Sequence, residues 1–365
     1  MKIQELCHFI ETVFPIAYQE DYDNSGLLIG DFQNEVTGVL ICFDVTEAVI
    51  EEAIAENRNL IISHHPLIFK GLKRLNHRTT SERIIAKAIR HDLAIYAAHT
   101  NLDNSKNGIN NHVSNVIGLK NAKILSPIEN DLFKIIVFCP DEQAGNVRQA
   151  MFKAGAGNIG NYDSCSFNSD GYGTFRANDL AQPFVGNKNE IHFEKEQKIE
   201  TIVPKYLLRN VLSAMIKAHP YEEVAYDIIS LKNANPEVGA GIIGDLPEEV
   251  SIHDFFNELK MKLNLSIIRH NNTDFSKKIR RISYCGGSGS FLIQNAINQN
   301  ADVFISGDIK YHDFFDYKNR LVIADIGHFE SEKLIQDILF DVVIKKIHNF
   351  ACSKAKSSEN PVHYF

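Results

Sequence analysis

The sequence holds no Cys-x-x-Cys pair, no run of about 20 apolar residues and no basic excess. Its six cysteines, Cys7, Cys42, Cys139, Cys165, Cys285 and Cys352, are scattered along the chain. That spacing is the pattern of reduced, buried thiols rather than of a disulfide framework. Without a long apolar run there is no candidate membrane span. The first residues, MKIQELCHFIETVF, lack the uninterrupted apolar stretch of a secretory signal, so the cytoplasm is the expected address. A net charge of −8 argues against a general nucleic-acid binder, which would carry a basic face. What remains is an ordinary globular composition, 44% hydrophobic and 23% charged. At 365 residues the chain exceeds one comfortable core, and two domains are expected.

Fifteen histidines are present, so position has to discriminate among them. The most informative stretch is LIISHHPLIF, residues 60–69. Leu60-Ile61-Ile62 is a short buried strand that stops at two histidines and a proline. Pro66 biases His65 toward an extended conformation and sets both imidazoles at the carboxyl end of the strand. In open α/β sheets that edge is where ligands bind. Adjacent residues on an extended chain point to opposite sides, so His64 and His65 suit two neighbouring ions better than one. Taken alone, the pair is equally consistent with a solvated polar turn.

The surrounding pattern favours α/β architecture. A helical stripe of Ile3, Leu6, Ile10, Val13 and Phe14 ends at Pro15. The strand GVLICFDV, a helix capped by Thr46 and the strand LIIS make a βαβ unit with a parallel strand pair. The pattern repeats: a helix opened by Thr79-Thr80-Ser81, then LAIYAAHTNLD, whose strand ends in His99 and Asp103. Two parallel strands with polar groups at the same end point to a shared site. A helix near residues 107–119 closes this lobe.

From Leu132 the character changes. FKIIVFCP is a strand, DEQAGNVRQAMFKAG a helix, and SCSFNSDG with YGTFRAN suggests a hairpin about a Gly-rich turn. A polar stretch, then IETIVP, KYLLRNVLSAMIKAHP and EVAYDIISL supply strand, helix and strand. The order predicts an inserted ferredoxin-like α+β domain over 128–234, dividing a host domain of βαβ units, 1–127 and 235–365. NANPEVGAGIIGDL is expected as the spacer returning to the host.

The last third adds a strand, RISYC, that runs into Gly286-Gly287-Ser288-Gly289 and a helix. Such a turn can offer backbone N–H groups to a phosphate or carboxylate, although it also occurs as a plain tight connection. ADVFISGDIKYHDFF follows, with His312 beyond the strand. Then LVIADIGHFESEKL places His328 and Glu332 four apart at the start of a helix, on one face, a spacing that lets both address one metal centre.

On Ser63-His64-His65-Pro66, His99-Thr100-Asn101-Leu102-Asp103 and Gly327-His328-Phe329-Glu330-Ser331-Glu332, the chain resembles the Nif-like, dinuclear-metal family of GTP cyclohydrolase 1 type 2 homologues. Asp23-Asn24-Ser25-Gly26-Leu27 and Ser306-Gly307-Asp308 support the resemblance. The middle segment, with His219-Pro220-Tyr221-Glu222-Glu223, resembles the CutA-like or PII-like insert of the longer members. Tyr22 stands where many members have tryptophan, a departure that concerns packing.

The resemblance implies two divalent ions per chain, Zn, Fe, Mn, Ni or Co, held by His64, His65, Asp103, His328 and a bridging Glu332. His65 with Asp103 is expected at one ion and His64 with His328 at the other. It also implies a toroidal homohexamer. The function expected is metal-dependent hydrolysis of a nucleotide-like substrate, sharpened by the family to attack of a metal-bound hydroxide at C8 of GTP with release of formate. His99 or His312 would move protons, and Gly286, Gly287, Ser288 and Gly289 would hold phosphate. The alternative is a metal-handling or regulatory protein whose insert senses a small molecule or a partner.

Overall fold

The computed structural model describes residues 1–347 and 351–364. The chain divides into two compact units, Met1–Ser126 with Val238–Phe365, and Pro127–Glu237. No helix among the described residues is long and apolar enough to cross a membrane.

The discontinuous unit holds two sheets. In the first, the order is Gly26–Ile29, Ala94–Ala97, Leu60–Ser63, Gly38–Cys42, Ala351–Lys354. All pairings are parallel except the edge strand Gly26–Ile29 on Ala94–Ala97. The registers Cys42 with Ser63 and Ser63 with Ala97 bring three strand ends to one level. In the second sheet, Lys278–Ser288, Val303–Gly307 and Val322–Asp325 run parallel, with antiparallel strands outside them.

The central strands Gly38–Cys42, Leu60–Ser63, Ala94–Ala97, Val303–Gly307 and Val322–Asp325 are buried throughout because both faces are covered, which is why they appear in the sequence as unbroken apolar runs. Val39, Ile41, Leu60, Ile62 and Tyr96 of the first sheet share one core cluster with Ile282, Tyr284, Val303 and Ile305 of the second. The alternate residues Leu40, Ile61 and Ile95 pack outward against the helices Glu47–Ala55 and Thr80–Arg90. Both helices begin as the sequence indicates, since the hydroxyls of Thr46 and Thr79 accept the N–H groups of Val49 and Glu82. In the first helix, Ile3–Val13, residues Ile3, Leu6, Cys7 and Ile10 face the core, and Phe14 just beyond it is buried too.

The continuous unit has the element order strand, helix, strand, strand, helix, strand. Its antiparallel sheet is ordered Phe167–Arg176, Ile191–Pro204, Leu132–Pro140, Tyr226–Ser230. The helices Asp141–Lys153 and Leu208–Ala218 cover one face through Val147, Met151, Val211 and Met215 against Ile135, Val137, Ile199 and Val203.

Three local expectations are corrected. The supposed hairpin at SCSFNSDGYGTFRAN is one strand, Phe167–Arg176, in which Gly171 and Gly173 stand opposite Glu196 and Glu194. Cross-strand pairing to the 14-residue strand Ile191–Pro204 overrides the turn propensity of the glycines. The supposed spacer is the strand Asn235–Ser251, pairing with Lys278–Ser288. The strand expected at 281–285 continues to Ser288, and the α-helix behind it, Ile293–Asn298, is short and preceded by a 3-10 turn at Ser290–Leu292.

Candidate metal centre

Five donors reach one place from the carboxyl ends of the two sheets in the discontinuous unit. His64 and His65 follow the strand Leu60–Ser63, and Asp103 ends the short helix Thr100–Asp103 after Ala94–Ala97. His328 and Glu332 open and close the helix Gly327 introduces after Val322–Asp325.

Glu332 is the shared member. It is 3% exposed, and its Oε2 lies 3.6 Å from His64 Nε2, 3.6 Å from His65 Nε2 and 3.1 Å from His328 Nε2. The donors sort into two triads, His64, Asp103 and Glu332, and His65, His328 and Glu332, with the atoms of each within 4.8 Å of one another. His64 Nε2 is 3.9 Å from Asp103 Oδ1, and His65 Nε2 is 3.3 Å from His328 Nε2. The expected pairing of His65 with Asp103 and His64 with His328 is therefore exchanged. His64 turns inward to full burial beside Asp103, while His65 turns toward the second sheet.

Each imidazole is fixed through its other nitrogen. His64 Nδ1 donates to the carbonyl of Ala98 at 2.9 Å. His65 Nδ1 donates to Asp44 Oδ1 at 2.8 Å, and His328 Nδ1 to Asp308 Oδ2 at 2.7 Å. A ring held in this way presents Nε2 to the centre, the arrangement of metal-ligating histidines. The ring of Phe43 stacks on His64 at 5.5 Å and meets His65 edge-on at 4.6 Å.

Three buried atoms at the centre, His64 Nε2, Asp103 Oδ1 and Glu332 Oε2, have no hydrogen-bond partner among the described residues. Leaving a buried carboxylate oxygen unmatched costs several kcal/mol, of the order of ~3–5 for an uncompensated charge. A divalent cation would satisfy all three, and the mixed nitrogen and oxygen set suits a borderline first-row ion.

The electrostatics agree. Burial lowers His64 to about 4, against the pull of Glu332. Burial also opposes charge on His65, yet the bond to Asp44 and the nearby Glu332 carboxylate outweigh it and raise this imidazole to about 10. The adjacent Glu332 carboxylate leads in raising His328 to about 9, with Asp308 adding to it. Burial first and Glu332 second push the Asp103 carboxyl well above its usual range. Burial would raise Glu332 too, but His64, His328 and His65 together hold it well below.

His99 stands beside the centre, grouped with His64 and His65, its Nδ1 bound to Asp23 Oδ1 at 2.7 Å. Burial would raise Asp23, but His99 and Thr100 hold its carboxyl well below the usual range. His312 is elsewhere on the helix Tyr311–Asp316, exposed, its ring against Tyr311.

The glycine turn departs from expectation. The amides of Gly286, Gly287 and Gly289 already donate to Asn110 Oδ1, Ser331 Oγ and Ser306 Oγ at 3.0, 2.9 and 2.9 Å. The anion cradle assigned to Gly286, Gly287, Ser288 and Gly289 thus has three of its four amides spent within the protein. The turn serves Glu332 instead. At Gly287, φ is +60°, and a Cβ would fall 2.4 Å from Glu332 Oε1. Ser288 Oγ donates to Asp308 Oδ2 at 2.6 Å, the carboxylate that orients His328.

The orienting carboxylates Asp44, Asp308 and Asp23 carry roles that sequence reasoning did not assign. Asp44 had one available signal, its place just after an apolar strand on the same sheet edge as His64. A cleft of about 360 Å³ opens on the His65 and His328 side, walled by Phe43, Phe329, Arg269 and Tyr364.

Fold and site together define an α/β protein with a clustered histidine–carboxylate centre at the joint of two sheets. The chain belongs to the Duf34/NIF3 (NGG1p interacting factor 3) family, whose model matches residues 1–361. It is 39% identical over 360 residues to a GTP cyclohydrolase 1 type 2 homolog of Halalkalibacterium halodurans, covering 94% of this chain and 96% of the relative. A GTP cyclohydrolase 1 type 2 homolog of Bacillus subtilis is 38% identical, with 92% and 90% covered. Among solved structures, a Bacillus cereus protein related to NIF3 aligns with a TM-score of 0.88 at 36% identity, over 100% of this chain and 99% of that one.

Two outcomes follow from this geometry. Gly287→Ala forces Glu332 aside, so metal affinity, measured by competition with a chelator, is expected to fall about 10–100-fold while the circular dichroism is kept. Unchanged affinity would mean that Glu332 is not held by this turn. The second concerns pH in metal-free protein. His65 and His328 are raised in the folded state, so their stabilisation is full below the unfolded value of 6.5 and is lost as pH rises through about 9 to 10. The melting temperature of the stripped protein should therefore fall from pH 7 to pH 10, and metal uptake at pH 7 should release protons. A flat profile with no proton release contradicts the assignment.

Proposed function

We propose that the protein is a metal-dependent hydrolase acting on a nucleotide-like substrate at two ions. His64, Asp103 and Glu332 would hold one ion, and His65, His328 and Glu332 the other. The observation that carries the proposal is that His64 Nε2 and Asp103 Oδ1, buried and partnerless among the described residues, meet the equally partnerless Oε2 of Glu332, the residue both triads share. A pair of such ions supplies Lewis acidity and activates water at neutral pH. Names of close relatives favour GTP as the substrate to test first.

The chain's own residues complete the site. Asp23 keeps His99 in one tautomer with Nε2 free, the arrangement of a group that passes a proton to or from a bound substrate. Phe43, Phe329 and Tyr364 offer aromatic walls to a planar base along the cleft. Arg269, paired with Asp325 at 2.8 Å, is the cation on that cleft best placed to meet an anionic group. His312 has no contact with the donors among the described residues, so proton transfer is assigned to His99 alone.

The inserted unit is proposed to be a ferredoxin-like module of the CutA and PII kind. The support is its strand–helix–strand–strand–helix–strand order and its sheet order.

Incubation of metal-loaded protein with GTP tests the proposal. Formate release that disappears in Glu332→Gln and falls by ~10²-fold or more in His99→Ala is expected. No formate from fully loaded protein, with rapid reversible metal exchange instead, would overturn hydrolysis in favour of metal handling.

A further inference from the structure

The inserted unit contains a cavity of about 620 Å³, within the range that holds a small organic molecule. Its floor is the sheet face turned away from the two helices. Ile135, Val137 and Ile199 point to the helices, so Phe138, Glu196 and Lys198, at alternate positions, point to the cavity. Gly171 and Gly173 lie in the same floor, directly opposite Glu196 and Glu194. Glycine inside a strand weakens it and marks a place where another group comes close. At Gly173 that group is visible: a Cβ would fall 2.2 Å from Glu196 Oε2. At Gly171 a Cβ would meet nothing within 4 Å, so its missing side chain leaves the floor open.

The walls are aromatic. Phe175 and Phe184 flank Tyr221 at ring separations of 6.0 and 6.3 Å. The loop bearing Phe184 is tied down by the Gln182 amide, which donates to Glu222 Oε1 at 2.8 Å. Glu196, 9% exposed, lies at the floor of this aromatic box and accepts the Tyr221 hydroxyl on Oε1 at 2.9 Å. Its Oε2 accepts no hydrogen bond among the described residues. Asp170 and Glu223 also line the cavity. Lys198, the one lining cation among the described residues, is engaged by Glu200 at 2.5 Å. A buried carboxylate with a free oxygen, set among ring faces and further carboxylates, is complementary to a positive charge with an apolar surround.

We propose that this cavity is a binding site for a small organic cation, an alkylated or aryl-substituted ammonium. Its charged nitrogen sits against Glu196 and its apolar body lies between Tyr221, Phe175 and Phe184. The site uses none of the residues of the metal centre, and the inference does not rest on the hydrolase proposal.

Calorimetric titration of the full-length, metal-loaded protein with benzyltrimethylammonium tests it, with benzyl alcohol as the uncharged counterpart and phenyl phosphate as the anion. Saturable binding near one per chain is expected, about tenfold or more tighter than for benzyl alcohol, with none for phenyl phosphate. Glu196→Gln, which retains an acceptor for Tyr221, should weaken the cation about tenfold. Gly171→Leu, which fills open space on the floor, should abolish binding while leaving metal content and melting temperature unchanged. Absence of saturable binding to wild type overturns the proposal. So does equal affinity for the neutral or anionic probe, or wild-type affinity in both variants.

Discussion

A carboxylate with almost no exposure sits where the two sheets of the discontinuous unit meet, and three imidazoles point at it. Glu332 is held there from several sides. Gly287 leaves room for its oxygens, and Ser331 beside it is fastened by the Gly287 amide and by the Tyr284 hydroxyl. Such a group is expensive to bury unless opposite charge meets it. In the metal-free chain that charge comes from His65 and His328, whose basicity is raised for this reason. A buried carboxylate ringed by imidazoles in this way favours a bound cation.

The two halves of the site differ in character. His64, Asp103 and Glu332 form the buried half, in which His64 is driven toward neutrality by burial and tied to a backbone carbonyl. His65 and His328 form the accessible half, oriented by the acidic side chains Asp44 and Asp308 and open to the cleft. A carboxylate behind an imidazole raises its basicity, whereas a carbonyl gives direction with less charge. The two halves therefore differ in imidazole basicity as well as in access.

Much of this was legible in the sequence because buried parallel strands announce themselves as apolar runs, and their ends are marked by the first polar residues. The five donors all follow such runs. The exchange of partners was not legible: which way His64 and His65 turn depends on Ala98 and Asp44, contacts that sequence spacing does not contain. The glycine turn misled for a related reason, since its amides are consumed by Asn110, Ser306 and Ser331, which come from other parts of the chain. In the insert, Gly171 and Gly173 imitated a turn because their strand is fixed by its neighbour rather than by its own propensity. In each case a long-range contact outweighed a local signal.

Anomalous diffraction at the absorption edge of the bound metal tests the central claim most directly. The account predicts two peaks per chain, one among His64, Asp103 and Glu332 and one among His65, His328 and Glu332, both in contact with the Glu332 carboxylate. A single peak, or two peaks that do not share Glu332, would contradict it.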